Sequence, residues 1–92
     1  DKVRSLETLL GRYDATLEEV AFVGDDLSDL GVMLRVGLPI AVANAREEIK
    51  KVAKHVTKAR GGEGAIREAC EYVLKREGLW DKVISLYTGG KG

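Results

Sequence analysis

Among 92 residues there is one cysteine, one proline, one tryptophan and one phenylalanine, and no glutamine at all. A single thiol, Cys70, excludes an internal disulfide, and its apolar neighbours on a predicted helix mark it as a buried core residue rather than a nucleophile. No apolar stretch approaches the ~18 residues of a membrane span and no signal-peptide pattern is visible, so no membrane partner is expected and the chain reads as cytoplasmic. Excess charge is also missing: 15 basic residues balance 15 acidic ones, which leaves no electrostatic footprint for nucleic acid.

What remains is room for one domain at most, with a modest core, because a chain this short buries only about two-thirds of its unfolded surface. Its 45% hydrophobic and 33% charged content is ordinary for a globular protein.

The most informative stretch is Val20 to Asp29. Val20-Ala21-Phe22-Val23 is a continuous apolar run, the pattern of a strand buried on both faces of a parallel sheet. Gly24 lets the backbone turn, and Asp25, Asp26 and Asp29 then place three carboxylates at the C-terminal end of that strand, where open α/β sheets bind ligands. Three like charges call for a counter-ion, and an oxygen-only set suits a hard cation such as Mg²⁺. Helix capping explains one of the three, not all.

Around this stretch the pattern is a repeating one. Val3, Leu6, Leu9 and Leu10 give an N-terminal helix one buried face, with Gly11 as its stop, and Thr16 with Glu19 forms a capping box before the strand. Leu27, Leu30, Met33 and Leu34 mark a second helix, and Pro39 to Ala43 a second strand. Asn44 reads as the N-cap of a helix carrying Ile49, Val52 and Ala53, and His55-Val56-Thr57 as a short third strand near a sheet edge. Gly61, Gly62 and Gly64 form a loop into a helix over about 63–77 with Ile66, Ala69, Cys70, Val73 and Leu74 inward, and Gly78 closes it. A last helix over 79–87 precedes a tail at 88–92. The expected fold is α/β, a Rossmann-like parallel sheet of about three strands with helices on both faces. Three strands are few for such a sheet, so an outer edge is expected to be missing.

Gly24-Asp25-Asp26-x-x-Asp29 after a buried strand resembles the fourth motif of the haloacid dehalogenase superfamily. Adding Val36-Gly37-Leu38, Ala41-Val42-Ala43-Asn44-Ala45, Val56-Thr57 and Gly61-Gly62-Glu63-Gly64-Ala65-Ile66-Arg67-Glu68, the series is similar to the small, capless phosphatases that act on 3-deoxy-D-manno-octulosonate 8-phosphate, over most of residues 2 to 75. The resemblance implies that Lys2 is the third-motif lysine, steadying the charge of the transferring phosphoryl group. It makes Asp25 the direct Mg²⁺ ligand, with Asp26 and Asp29 ordering metal-bound water and the lysine. Asn44, Gly62, Gly64 and Arg67 would then contact an anionic substrate, a small phosphorylated sugar acid, aided by a helix N-terminus.

One departure is large. Family members carry a nucleophilic Asp in an N-terminal D-x-D segment, and no Asp-x-Asp occurs here. The chain is therefore expected to be the C-terminal part of a single phosphatase domain, over residues 1–87, inactive alone. An alternative is a non-catalytic assembly module, like the related C-terminal domain of some CMP-sialic acid synthetases. Trp80, Val83, Ile84 and Tyr87 exceed what a terminal helix can bury internally, which predicts a homo-oligomer, a tetramer by the resemblance, with the 88–92 tail reaching a neighbouring site.

Overall fold

The computed structural model describes residues 1–87. The tail expected to reach a neighbour, residues 88–92, lies outside the described residues. Helix α1 spans Lys2–Arg12 and a 3₁₀ turn, Leu17–Glu19, leads to strand β1, Ala21–Gly24. A second 3₁₀ turn, Leu27–Asp29, runs into the short α2, Leu30–Met33. Then come β2, Leu38–Ala41, α3, Glu47–Val52, β3, His55–Val56, α4, Ala65–Arg76, and α5, Trp80–Tyr87.

The three strands are parallel in the order β1-β2-β3, with Ala21 opposite Leu38 and Ile40 opposite His55. All four residues of β2 are buried, as the middle strand requires. Successive side chains alternate between faces. Ala41 joins Met33, Val42, Ala45 and Ile49 in the cluster under α2 and α3, whereas Leu38 and Ile40 meet Ala69, Tyr72 and Val73 of α4 on the other face. Helices cover both faces, as expected.

The burial of individual elements differs from the sequence reading, for one main reason. β1, expected to be buried on both faces, pairs on one side only; Ala21 is exposed and Phe22 and Val23 are half-buried. α4 starts at Ala65 rather than at 63 and buries Ala65 and Ala69, while Ile66 is 61% exposed. Cys70 is exposed, not a core thiol. It lies with Leu74, Val73 and Ala69 along a groove beside Ala21 and Val23, so the face of α4 expected to be inward overhangs the free edge of β1.

Smaller corrections are local. Gly11 does not stop α1, which continues to Arg12 and ends before Asp14 at φ 53°. α2 buries Val32 and Met33, leaving Leu27 and Leu34 exposed. The Thr16–Glu19 capping box is present, the Glu19 carboxylate accepting the Thr16 amide at 3.0 Å. Thr57 is buried beyond the end of β3. On α5, Leu86 is 81% and Ile84 40% exposed.

Candidate active site

β1 ends at Gly24 because the chain must double back there. A Cβ on Gly24 would stand 2.9 Å from the Met33 sulfur, closer than real Cβ atoms come, and a tight 3.1 Å from Asp29 Cβ. The absent side chain lets Asp29, only 5% exposed, fold under the strand end. Its Oδ2 accepts the amides of Asp25 at 3.0 Å and Asp26 at 3.2 Å, and its Oδ1 accepts from Lys2 Nζ at 2.5 Å. Lys2 donates also to Ser28 Oγ at 3.2 Å. Asp26 caps the turn, accepting the Leu27 amide at 2.7 Å.

The three carboxylates therefore do not converge on one ion. Asp29 is committed to Lys2 and two amides, Asp26 to a cap, and among the described residues no three His, Cys, Asp or Glu side chains could together hold a metal. Asp25 and Asp26 are exposed, and of the two Asp25 is the one that lines the crevice beyond the strand end.

Electrostatics divide these groups further. Burial on its own would push the Asp29 carboxyl up, but the Lys2 bond and the two amides outweigh it and hold it at about 2. Lys2 is raised above its ordinary value, first by its bond to Asp29 and then by the charges of Asp29, Asp25 and Asp26. Asp25 is raised by the neighbouring Asp29 carboxylate, by partial burial and by Asp26. An exposed carboxylate that its neighbours discourage from ionising favours a cation beside it.

Opposite Asp25, the loops after β2 and β3 form the other wall. Asn44 does not cap α3, whose N-cap is Arg46; its Oδ1 accepts the Gly61 amide at 2.7 Å instead. The Asp25 carbonyl accepts the Arg46 amide at 3.0 Å, tying the two strand ends together. Gly24, Asp25, Val42, Gly61 and Gly62 thus share a crevice of about 280 Å³. Gly62 and Gly64 have φ of 81° and 97°, and Gly64 is the N-cap of α4. Arg67 is not brought to this crevice: it lines a larger groove of about 570 Å³ between α4 and α5, with Cys70, Trp80 and Ile84. That groove holds none of the strand-end carboxylates, whereas Asp25 lines the smaller crevice.

Two residues named in the sequence without a role have one in the fold. Glu68 accepts the amides of Lys58 and Ala59 at 2.7 and 2.8 Å, and Thr57 Oγ1 donates to the Ala59 carbonyl at 2.7 Å. A glutamate in the first turn of a helix after a glycine loop is a usable signal, since helical side chains lean toward the N-terminus.

A family model for haloacid dehalogenase-like hydrolases matches residues 1–68. The chain belongs to the haloacid dehalogenase-like hydrolases. Among curated relatives, 3-deoxy-D-manno-octulosonate 8-phosphate phosphatase from Yersinia pestis is 43% identical over 74 residues, covering 80% of this chain and 40% of the relative. The fold superposes on a probable yrbi family phosphatase from Pseudomonas syringae with a TM-score of 0.89 and 45% identity, covering 96% of this chain and 50% of that one. It also matches 3-deoxy-D-manno-octulosonate 8-phosphate phosphatase from Moraxella catarrhalis, a complex with magnesium, phosphate and KDO, with a TM-score of 0.87 and 36% identity over 95% of this chain and 50% of that one. The chain thus spans half or less of the haloacid dehalogenase relatives it matches.

Proposed function

We propose that residues 1–87 form the C-terminal part of a single phosphatase domain, which uses Mg²⁺ to hydrolyse a sugar-acid phosphate monoester, 3-deoxy-D-manno-octulosonate 8-phosphate, to the free sugar acid and phosphate. The observation that carries this reading is the Lys2–Asp29 pair set beneath the exposed Asp25 at the end of β1. Asp29 stays ionised and fixes the lysine, and Lys2 stays protonated, a point cation for the phosphoryl oxygens. Asp25 would hold the metal, its unfavourable negative charge matched to a cation; Asp26 shapes the turn and would order water bound to that metal. When bound, Mg²⁺ neutralises charge on the phosphate being transferred.

Gly62 and Gly64 present backbone to the anionic substrate at the N-terminus of α4, and Asn44 holds that loop in place. Arg67 faces the α5 groove, so contact with substrate needs a ligand or subunit approaching from that side. No Asp-x-Asp segment occurs in the 92 residues, so the nucleophile comes from outside this chain and the chain alone is inactive. The apolar surface at Ile84 and Leu86 supports homo-oligomerisation, with a tetramer as the proposed state. No helix among the described residues is long and apolar enough to cross a membrane. The assembly-module alternative is not favoured, since the relatives compared are phosphatases.

Phosphate release by the full-length protein from 3-deoxy-D-manno-octulosonate 8-phosphate tests the proposal. Turnover should require Mg²⁺ and vanish in Asp25→Asn; turnover that survives chelation, or no turnover with the metal supplied, contradicts it.

A further inference from the structure

Strand β3 is only two residues long, so the chain leaves the sheet at Thr57 and reaches Gly61 with no ladder to hold it. Several backbone groups along that path are nonetheless engaged. The Glu68 carboxylate reaches back from the first turn of α4 and takes the Lys58 and Ala59 amides, one on each oxygen, at 2.7 and 2.8 Å. The Ala59 carbonyl accepts from Thr57 Oγ1 at 2.7 Å and from the Ala43 amide at 3.3 Å. Asn44 Oδ1 then takes the Gly61 amide at 2.7 Å, from the loop that follows β2. A Cβ on Gly61 would stand 3.4 Å from that same oxygen, so the two loops are in close contact.

We infer that Glu68 and Asn44 are positioning residues that clamp the 58–61 loop at its two ends and hold Gly61 and Gly62 as a fixed wall facing Asp25 across the crevice. This rests on the phosphatase reading above. Charge-assisted bonds to two successive amides are stronger than neutral ones, and the carboxylate that makes them lies outside the crevice lining. Its role is to remove loop freedom before substrate arrives, so that binding does not have to supply the ordering. The clamp bears on substrate affinity through the loop, while the phosphoryl-transfer groups at the end of β1 are untouched by it.

The test uses the full-length enzyme with 3-deoxy-D-manno-octulosonate 8-phosphate as substrate. Glu68→Ala and Asn44→Ala should each raise KM about tenfold with kcat within about twofold. Amide exchange at Lys58, Ala59 and Gly61 should accelerate while core amides in β2 keep their protection. Glu68→Gln, which keeps one carbonyl acceptor, should fall between wild type and Glu68→Ala. Unchanged exchange in Glu68→Ala, or faster exchange with an unchanged KM, overturns the inference. A fall in kcat and melting temperature with KM constant overturns it too, as that marks a purely structural residue. A wild-type enzyme that does not hydrolyse this substrate instead removes the functional reading, and the positioning role with it.

Discussion

Lys2 and Asp29, 27 positions apart, meet at 2.5 Å beneath the end of β1. The lysine is half exposed and the aspartate almost fully buried, so the pair runs from solvent into the turn. It fastens the start of α1 to the loop that carries Asp25 and Asp26. The same bond that anchors the helix keeps a cation beside the candidate metal ligand, and fold and site share one contact.

Removing the buried partner should therefore be the costlier change. Asp29→Asn deprives two amides and a lysine of their charged acceptor and should lower stability by about 2 kcal/mol. Lys2→Met should lower it less, because Asp29 keeps both amide bonds. Urea denaturation of both single variants and the double variant gives the coupling; equal losses in the two single variants would contradict this division.

The acid limb of stability follows from the same group. Asp29 titrates at about 2 in the fold against an ordinary 3.8, so its contribution is complete above about 3.8 and is lost as pH falls from there through about 2. Lys2 is raised above its ordinary 10.5, so its share is complete below that value and is lost as pH rises through the higher folded one. Asp25, raised above 3.8, works against Asp29: it favours the fold when protonated and ceases to as pH climbs through its folded value. Denaturant midpoints measured from pH 2 to 6 should fall on the acid side in wild type, and Asp29→Asn should flatten that fall.

Asp25, the proposed metal ligand, should be held at the expense of stability. In metal-free buffer Asp25→Asn should raise the melting temperature, since it removes a charge that Asp29 and Asp26 oppose. Added Mg²⁺ should stabilise wild type and not the variant, and only at high concentration, as one side-chain ligand remains for it. A lower melting temperature for metal-free Asp25→Asn would refute this.

Much of the fold was legible because its signals are local. The apolar run at 20–23, the apolar β2 and the glycine at 78 each mark an element within a few residues of its observed place. What failed was partnership at a distance. Asn44 with Glu47 three residues on looks like a cap, but its partner is Gly61, 17 residues away, for which the sequence carries no period. Cys70 sits at a core spacing on α4, yet burial there depends on what lies beyond the free edge of β1. The acidic triplet was visible as a cluster, and the resemblance implied that Asp26 and Asp29 order the lysine; that Asp29 is the one bonded to Lys2 while Asp26 caps the turn required the fold.

Two glycines should respond in opposite ways to alanine. A Cβ at Gly37 would lie 1.9 Å from the Glu18 carbonyl oxygen, so Gly37→Ala must push apart the segments that lead into β1 and β2 and should destabilise by about 3 kcal/mol. Gly11, inside α1 with nothing within 4 Å of an added Cβ, should gain roughly 0.5–1 kcal/mol as alanine. Thermal melts of the two variants that moved in the same direction would contradict this.

On the proposed reading, this chain supplies the lysine and the acidic motif of a phosphatase whose nucleophile lies elsewhere. Phosphate release from 3-deoxy-D-manno-octulosonate 8-phosphate, measured with Mg²⁺ for the 92-residue chain alone and then mixed with a separately expressed D-x-D half from a related phosphatase, tests it most directly. No release is expected from the chain alone, and release on mixing that Asp25→Asn abolishes. Metal-dependent turnover by the chain alone, or turnover on mixing that survives Asp25→Asn, would contradict it.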